Sequence, residues 1–420
     1  MLRCDQLTSP GDLLALAAGF QAEAALAFVA ALCTEELSGR QVGTPGHDRA
    51  RDLIVAELRG RGLPTTVHPV EVSQVPLLDA TPILEIVEPS SRRVFTHRVD
   101  FAAHPRTACT PSPVTGTAVR STRPAPGTWL ILDEVPQGPA LAELATEVHT
   151  VGGAGLLTAQ YPDASGFLTK RMLGGPVVAV PVVAARPAVL TQLAGQVMRA
   201  SAPLHRDTVQ GANVVATVPG APQAAAGPLL VTAHYDGVGA DPDRHFPAAG
   251  DNASGVGVLA EVARVVATAG SALRRSVHFA AVDAEEVGGQ GSRRHAEALR
   301  AAGSRPLVLN LDMAGKFNGA VCVELGTGSE PLRDALHAAG RALRIPLVVG
   351  PVASDNRSYA GAGFPAAGIG LGATHYHSPL DSVDQVDTSA LDKAGRLILG
   401  VIWQLAFTPA GMDIGKGNTA

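Results

Sequence analysis

In the second half of the chain, acids and histidines stand where apolar runs end. Residues 229–233 lead into His234-Tyr235-Asp236, residues 276–282 into Asp283-Ala284-Glu285-Glu286, and residues 307–311 into Asp312. Gly250-Asp251-Asn252-Ala253-Ser254-Gly255 opens a helical pattern, and His377 follows a Gly-rich run at 366–372. In open α/β sheets, sites form outside the carboxyl ends of strands, so these groups are expected to converge on one rim. Two His and three carboxylates suit two zinc ions, because zinc takes imidazole nitrogen and carboxylate oxygen and leaves room for water at a catalytic site. Two metals about 3.5–4 Å apart can share a bridging carboxylate and a bridging water. One carboxylate must then stay free as general base. The neighbours Glu285 and Glu286 suit that division, one binding metal and the other taking the proton. Each residue alone has a plainer role, Asp251 as a helix N-cap and Glu285-Glu286 as a solvated pair. Five suitable residues at successive strand ends rarely coincide.

The elements that must carry these groups are legible from periodicity. From residue 211 the pattern alternates strand and helix. Strands are expected at 213–218, 229–233, 276–282, 307–311 and 321–325, with helices at 252–268, 291–302, 331–343 and 388–406. That alternation predicts an α/β fold with a mainly parallel central sheet flanked by helices. Nearer the N-terminus, 13–33 and 46–60 read as helices around a Gly/Pro loop, followed by a strand at 65–72. Between 76 and 204, short Val/Thr/Leu-rich runs alternate with Pro and Ser/Thr clusters. Strands are expected there at 128–132 and 177–183, with a helix at 138–149, giving a small β-rich insertion. The expected divisions are 1–75 and 205–408 for the main domain, 76–204 for the insertion, and 409–420 for a loose tail.

Composition bounds the rest. The chain has 420 residues, 46% hydrophobic and 17% charged, with 46 Gly and 31 Pro. Such a chain can bury a large core and form many turns. A net charge of −5 gives no electrostatic footprint for nucleic acid or an anionic membrane. The four Cys are scattered without a C-x-x-C pair, which disfavours a Cys-based zinc knuckle and mildly favours a reducing compartment. The apolar stretch at 13–32 carries Gln21 and Glu23 and follows Asp5 and Asp12, so it reads as an amphipathic helix packed on the domain rather than a signal peptide. A cytoplasmic location is expected on that ground, with secretion left open. No transmembrane span is expected.

Several segments resemble the co-catalytic di-zinc aminopeptidases, the group that also includes glutamate carboxypeptidase and the transferrin-receptor ectodomain. They are Ala233-His234-Tyr235-Asp236, Gly250-Asp251-Asn252-Ala253-Ser254-Gly255, Glu285-Glu286-Val287-Gly288-Gly289-Gln290-Gly291-Ser292, Asn310-Leu311-Asp312-Met313 and Tyr376-His377-Ser378-Pro379-Leu380-Asp381. Gly39-Arg40 and Gly43-Thr44-Pro45-Gly46 resemble the region that precedes the catalytic strands in that family. The resemblance implies the zinc-exopeptidase, phosphorylase/hydrolase-like α/β fold. The insertion, through Gly152-Gly153-Ala154-Gly155 and Val177-Val178-Ala179-Val180-Pro181-Val182-Val183, resembles a protease-associated domain.

Carried over residue by residue, the resemblance implies two zinc ions bridged by Asp251. His234 and Asp312 complete one site, and Glu286 and His377 complete the other. Glu285 is the implied general base, Asp236 the residue that orients His234, and Tyr376 a donor to the tetrahedral oxyanion. The implied substrate is a peptide or aminoacyl compound, with aminopeptidase favoured and carboxypeptidase left open. A glutaminyl cyclase-like acyltransferase with one zinc, or a non-catalytic binding module, are the alternatives. In one place the chain departs from the family pattern: Asn356, in Ser354-Asp355-Asn356-Arg357, stands where a His is common. That puts the substrate pocket rather than metal binding in question. His245 and Lys316 are expected in solvated surroundings, and His375 near the pocket but not as a ligand.

Overall fold

The computed structural model describes residues 10–87, 92–136, 138–173, 175–221, 227–269 and 273–407. Eight strands form the main sheet: β1 (Thr65–Leu78), β2 (Leu204–Val218), β3 (Leu229–His234), β4 (Val277–Val282), β5 (Leu307–Leu311), β6 (Val321–Leu325), β7 (Leu347–Val349) and β8 (Ala366–Gly370). Their order across the sheet is β1-β2-β4-β3-β5-β8-β6-β7. The four central strands β4, β3, β5 and β8 run parallel. β1 and β2 add an antiparallel ribbon on one edge, and the β6/β7 pair runs antiparallel to β8 on the other. The sheet is therefore mixed at its edges and parallel where the strand-end acids sit.

The central strands are apolar on both faces, as a sheet covered on both sides requires. In β3, Leu229, Val231 and Ala233 enter the larger core while Leu230 enters the core on the opposite face. In β4, Val277, Phe279 and Ala281 alternate with Ala280 and Val282 in the same way. Helices α1 (Pro10–Ala18), α2 (Ala22–Leu32), α3 (Pro45–Gly60), α4 (Ser254–Ala269), α6 (Glu330–Leu343) and α8 (Thr388–Ile402) contribute to the larger core. α5 (Gln290–Ala301) and α7 (Asn356–Gly361) cover the other face.

Three expectations need correction. The helix read at 13–33 is two helices, α1 and α2, parted at Gly19 and Phe20, where Phe20 is seated against Gly395. Asp12–Leu32 has the length and hydropathy of a membrane span, yet Leu13, Phe28, Val29 and Leu32 are buried in the core. The strand read at 177–183 begins only at Val182. Pro176 and Pro181 lack the N–H that a ladder needs, so 176–181 runs as irregular chain. The strand read at 65–72 continues to Leu78 despite Pro69 and Pro76, which an edge strand tolerates. The loose tail expected at 409–420 lies outside the described residues.

The chain leaves the main sheet at the far end of β1 and returns at the start of β2, with Leu78 directly opposite Leu204. Between them lies a second eight-stranded sheet, built from residues 83–202. Leu84, Phe101, Trp129, Leu157, Val183 and Met198 fill its own core.

Candidate metal centre

Each candidate ligand is delivered by a different element. His234 is the last residue of β3, and Asp312 follows β5 directly. Glu285 and Glu286 lie in the turn after β4, Asp251 in the irregular turn Ala249–Ala253 before α4, and His377 in the loop after β8. The parallel strands end on one rim, and the side chains meet there. His234 Nε2 lies 3.2 Å from Asp251 Oδ1 and 3.3 Å from Asp312 Oδ1. His377 Nε2 lies 3.3 Å from Asp251 Oδ2 and 2.9 Å from Glu286 Oε2. Asp251 thus turns one oxygen to each imidazole. Two groups result, His234/Asp251/Asp312 and Asp251/Glu286/His377, each compact enough to hold an ion.

The proton positions on the two imidazoles follow from their other partners. His377 Nδ1 is 2.8 Å from the Lys170 carbonyl, which can only accept, so Nδ1 carries the hydrogen. His234 Nδ1 faces the carbonyl of Asp236 at 3.2 Å and its carboxylate at 3.5 Å, both acceptors. In the neutral imidazoles both Nε2 lone pairs therefore point at carboxylate oxygens, an arrangement that repels unless a cation lies between. Buried Asp251, Glu286 and Asp312, with Glu285 beside them, crowd more carboxyl groups around the site than its two imidazoles can pair. The donor set fits divalent cations that accept nitrogen and oxygen. Electrostatics within the protein alone point the same way. Burial opposes charge on His234 and His377, yet the surrounding carboxylates raise both well above the usual histidine range. Burial opposes ionisation of Asp251 too, but the two histidines hold it well below the carboxylate range.

A second layer fixes these ligands. Asp236 accepts the backbone N–H of Glu285 and of Glu286, each at 3.1 Å, while facing His234. Asp381 accepts the N–H of Gly250 at 2.7 Å and of Asp251 at 3.1 Å. Asn252 donates to Leu311 O and accepts from Met313 N, tying the Asp251 turn to both sides of Asp312. Ala248, Ala284, Met313 and His377, none of them glycine, adopt left-handed backbone beside the ligands. Such residues cost of order 1–3 kcal/mol each and persist only where surrounding structure dictates them.

Glu285 lines a cavity of about 940 Å³ together with Glu286, Tyr376 and His377. Burial, then the neighbouring carboxylates acting against His234, push Glu285 well above the usual glutamate range. Tyr376 is half exposed and stacks on His377 with ring centroids 3.7 Å apart. Asp283, the first of the three acids in its strand-end run, turns away and is held by His47 at 2.9 Å and by the Tyr235 hydroxyl at 3.0 Å. Lys316 is exposed and His375 half-buried. Asn356 is buried against Gly368 and accepts from Ser354 N, so it does not form the cavity wall.

The sequence reading missed three features. Asp241, expected in a solvated loop with His245, is buried in a small hairpin and paired with Arg98 at 2.6 Å and Lys170 at 2.9 Å. Those two cations come from the inserted segment, which no local pattern could place. They already neutralise Asp241, so the neighbouring His97/Asp241/Asp243 group is an ion-pair joint rather than a third metal site. Asp355 is buried, and burial pushes its carboxyl up to about 7 against the pull of His234. Its place in the quoted Ser354-Asp355-Asn356 segment was the available signal. Arg40 is fully buried and donates to the carbonyls of Leu32, Tyr235, Pro247 and Ala248, locking the N-terminal loop beside the site.

Comparison with known proteins agrees with this geometry. The signature of Peptidase family M28 matches residues 213–402. Aminopeptidase YwaD of Bacillus subtilis (strain 168) is 28% identical over 192 residues, covering 42% of this chain and 40% of its own. Leupeptin-inactivating enzyme 1 of Streptomyces exfoliatus is 27% identical over 237 residues, covering 50% and 52%. The chain spans about half the length of the curated relatives it matches. Two solved structures show the same fold over nearly the whole chain. An aminopeptidase from Aneurinibacillus sp. strain AM-1 has a TM-score of 0.71 at 20% identity, covering 96% of this chain and 98% of that one. BSAP, a zinc aminopeptidase from Bacillus subtilis, has 0.73 at 20%, covering 92% and 95%. The match to the signature of Peptidase family M28, residues 213–402, takes in all five convergent ligands.

Proposed function

We propose that this chain is a zinc-dependent aminopeptidase that removes N-terminal residues from peptides. The observation that carries the reading is Asp251, whose two oxygens face two separate His/carboxylate groups. One zinc would be held by His234, Asp251 and Asp312, and a second by Asp251, Glu286 and His377. When bound, the ions polarise the scissile carbonyl and make water a nucleophile near neutral pH. Glu285, on the cavity wall and free of the ligand groups, takes the proton of the attacking water and passes it to the leaving amine. Asp236 holds His234 in the tautomer that presents Nε2. Tyr376, at the mouth of the same cavity, donates to the oxyanion. The match to family M28 and the zinc aminopeptidase neighbours support this reading. We read the insert as a protease-associated-like domain, and its Thr169, Arg171, Met172 and Leu173, in irregular chain outside its strands, help to line the cavity.

The test is amino-acid release from short peptides with free and blocked N-termini, with chelator and with zinc restored. Chelator-sensitive release from free peptides alone supports the assignment. Release from blocked peptides moves the reading to a carboxypeptidase or another amidohydrolase. No release from zinc-loaded protein overturns it and directs attention to cyclisation of N-terminal glutamine.

A further inference from the structure

The second ligand group does not stand on the peptidase domain alone. His377 makes two backbone-level contacts with Lys170, a residue of the insert. Its Nδ1 donates to Lys170 O at 2.8 Å, and its carbonyl accepts from Lys170 N at 3.0 Å. Lys170 sits in irregular chain, where no strand or helix ladder fixes its backbone. Other ties hold it instead. Leu168 N donates to Arg98 O, and Gln160 Nε2 donates to Thr169 O. The Lys170 side chain is buried and reaches back to the peptidase domain, where its ammonium meets Asp241 Oδ1 at 2.9 Å and Ala240 O at 3.1 Å. Arg98 closes the joint on the other oxygen of Asp241, and both cations lie over the ring of Phe246, at 5.7 Å and 5.3 Å. Burial of Lys170 disfavours its charge, and Asp241 opposes that effect.

We propose that Lys170 is a positioning residue, anchored by Asp241, through which the insert sets the orientation of His377 and so the affinity of the Asp251/Glu286/His377 site. This rests on the two-zinc reading above. The His234/Asp251/Asp312 site has no such dependence, since His234 is oriented by Asp236 from within the peptidase domain. The insert is then part of one metal site and not of the other. Breaking the anchor should separate the two binding steps. Loss of an outer partner of a ligating His typically costs 10–100-fold in metal affinity.

The experiment is stepwise zinc titration of the full chain against a competing chelator, for the parent protein and for Lys170→Met, Asp241→Asn and Lys170→Arg. Lys170→Met keeps the stem over Phe246 and leaves Asp241 paired with Arg98, so it keeps the joint packed. One step falling 10–100-fold in Lys170→Met and Asp241→Asn, with the other step within about threefold of the parent and Lys170→Arg close to the parent in both, supports the proposal. Equal affinities in all variants overturn it. A parallel fall of both steps also overturns it, because it shows general loss of structure rather than control of His377. A parent protein that binds fewer than two zinc ions overturns the two-zinc reading itself, a result distinct from either.

Discussion

Asp236→Asn removes one charge and swaps one acceptor oxygen for an NH2 of the same size, so its effects can be worked out in advance. The carboxylate accepts two backbone N–H groups, from Glu285 and Glu286, one on each oxygen at 3.1 Å. An amide can keep only one of these bonds. Its NH2 must then face the second N–H, leaving a buried donor opposite a donor. A hydrogen bond to a charged group contributes roughly 1.5–3 kcal/mol, and an unsatisfied buried donor costs a similar amount. The expected loss is therefore about 2–3 kcal/mol in metal-free protein. For a chain this long, at roughly 2.1 cal/mol/K per residue, that lowers the melting temperature by about 2–4 °C. The same change weakens the hold on His234 Nδ1, so zinc affinity should fall about 10–100-fold. The turn that moves carries both the base and a ligand, so turnover should fall even when zinc is saturating. The assays are thermal melting without metal, zinc titration and amino-acid release at saturating zinc. A variant with parent melting, parent zinc affinity and parent turnover would refute the argument that Asp236 organises this turn.

Three further outcomes follow from the same geometry. Glu285→Gln should retain both zinc ions by metal analysis yet lose about 10²–10⁴-fold in turnover, the usual contribution of a general base; near-parent turnover would remove Glu285 from that role. Asp251→Ala should disturb both sites together, and metal analysis showing two zinc ions retained would refute the shared ligand. Asp355 is raised from 3.8 to about 7, so the metal-free folded state binds a proton that the unfolded state releases between about pH 4 and pH 7. Stability contributed by the neutral carboxyl is thus present below that window and lost as pH rises through it. Asp355→Asn should accordingly leave metal-free melting unchanged near pH 4 and raise it at pH 8, and an unchanged difference between the two pH values would rule out Asp355 as the titrating group.

The strands and helices of the peptidase domain were legible because their apolar periods are long and uninterrupted. β3, β4 and β5 begin or end within a residue of their expected bounds. The ligand set was legible because each member follows such a strand directly, and strand ends share a rim. What the pattern could not supply was anything set by a partner distant in sequence. Asp241-Pro242-Asp243-Arg244-His245 has the composition of a solvated loop, and Pro242 and Asp243 are indeed exposed, but Arg98 and Lys170 from the distant insert bury and pair Asp241. Asn356 and Asp355 are adjacent, yet one packs beneath β8 and the other lies among the site's acids. Which of two neighbours faces the site depends on the short helix α7, whose orientation is a matter of packing. The break between α1 and α2 was marked by Gly19 but was overridden in the reading by the apolar character on both sides.

The pairing of Leu78 with Leu204 also has a kinetic meaning. The main sheet cannot complete its edge until two segments separated by the whole insert are brought together. For an unfolded intervening chain, closing a loop of that length costs about 4 kcal/mol of entropy, taken as (3/2)RT ln n. A folded insert presents its two ends side by side, and the closure then resembles that of a hairpin. Trp129 and its neighbours in the insert's core therefore govern how readily a distant sheet assembles. A cavity-forming substitution at Trp129 should slow completion of the peptidase domain by lengthening the effective tether between β1 and β2.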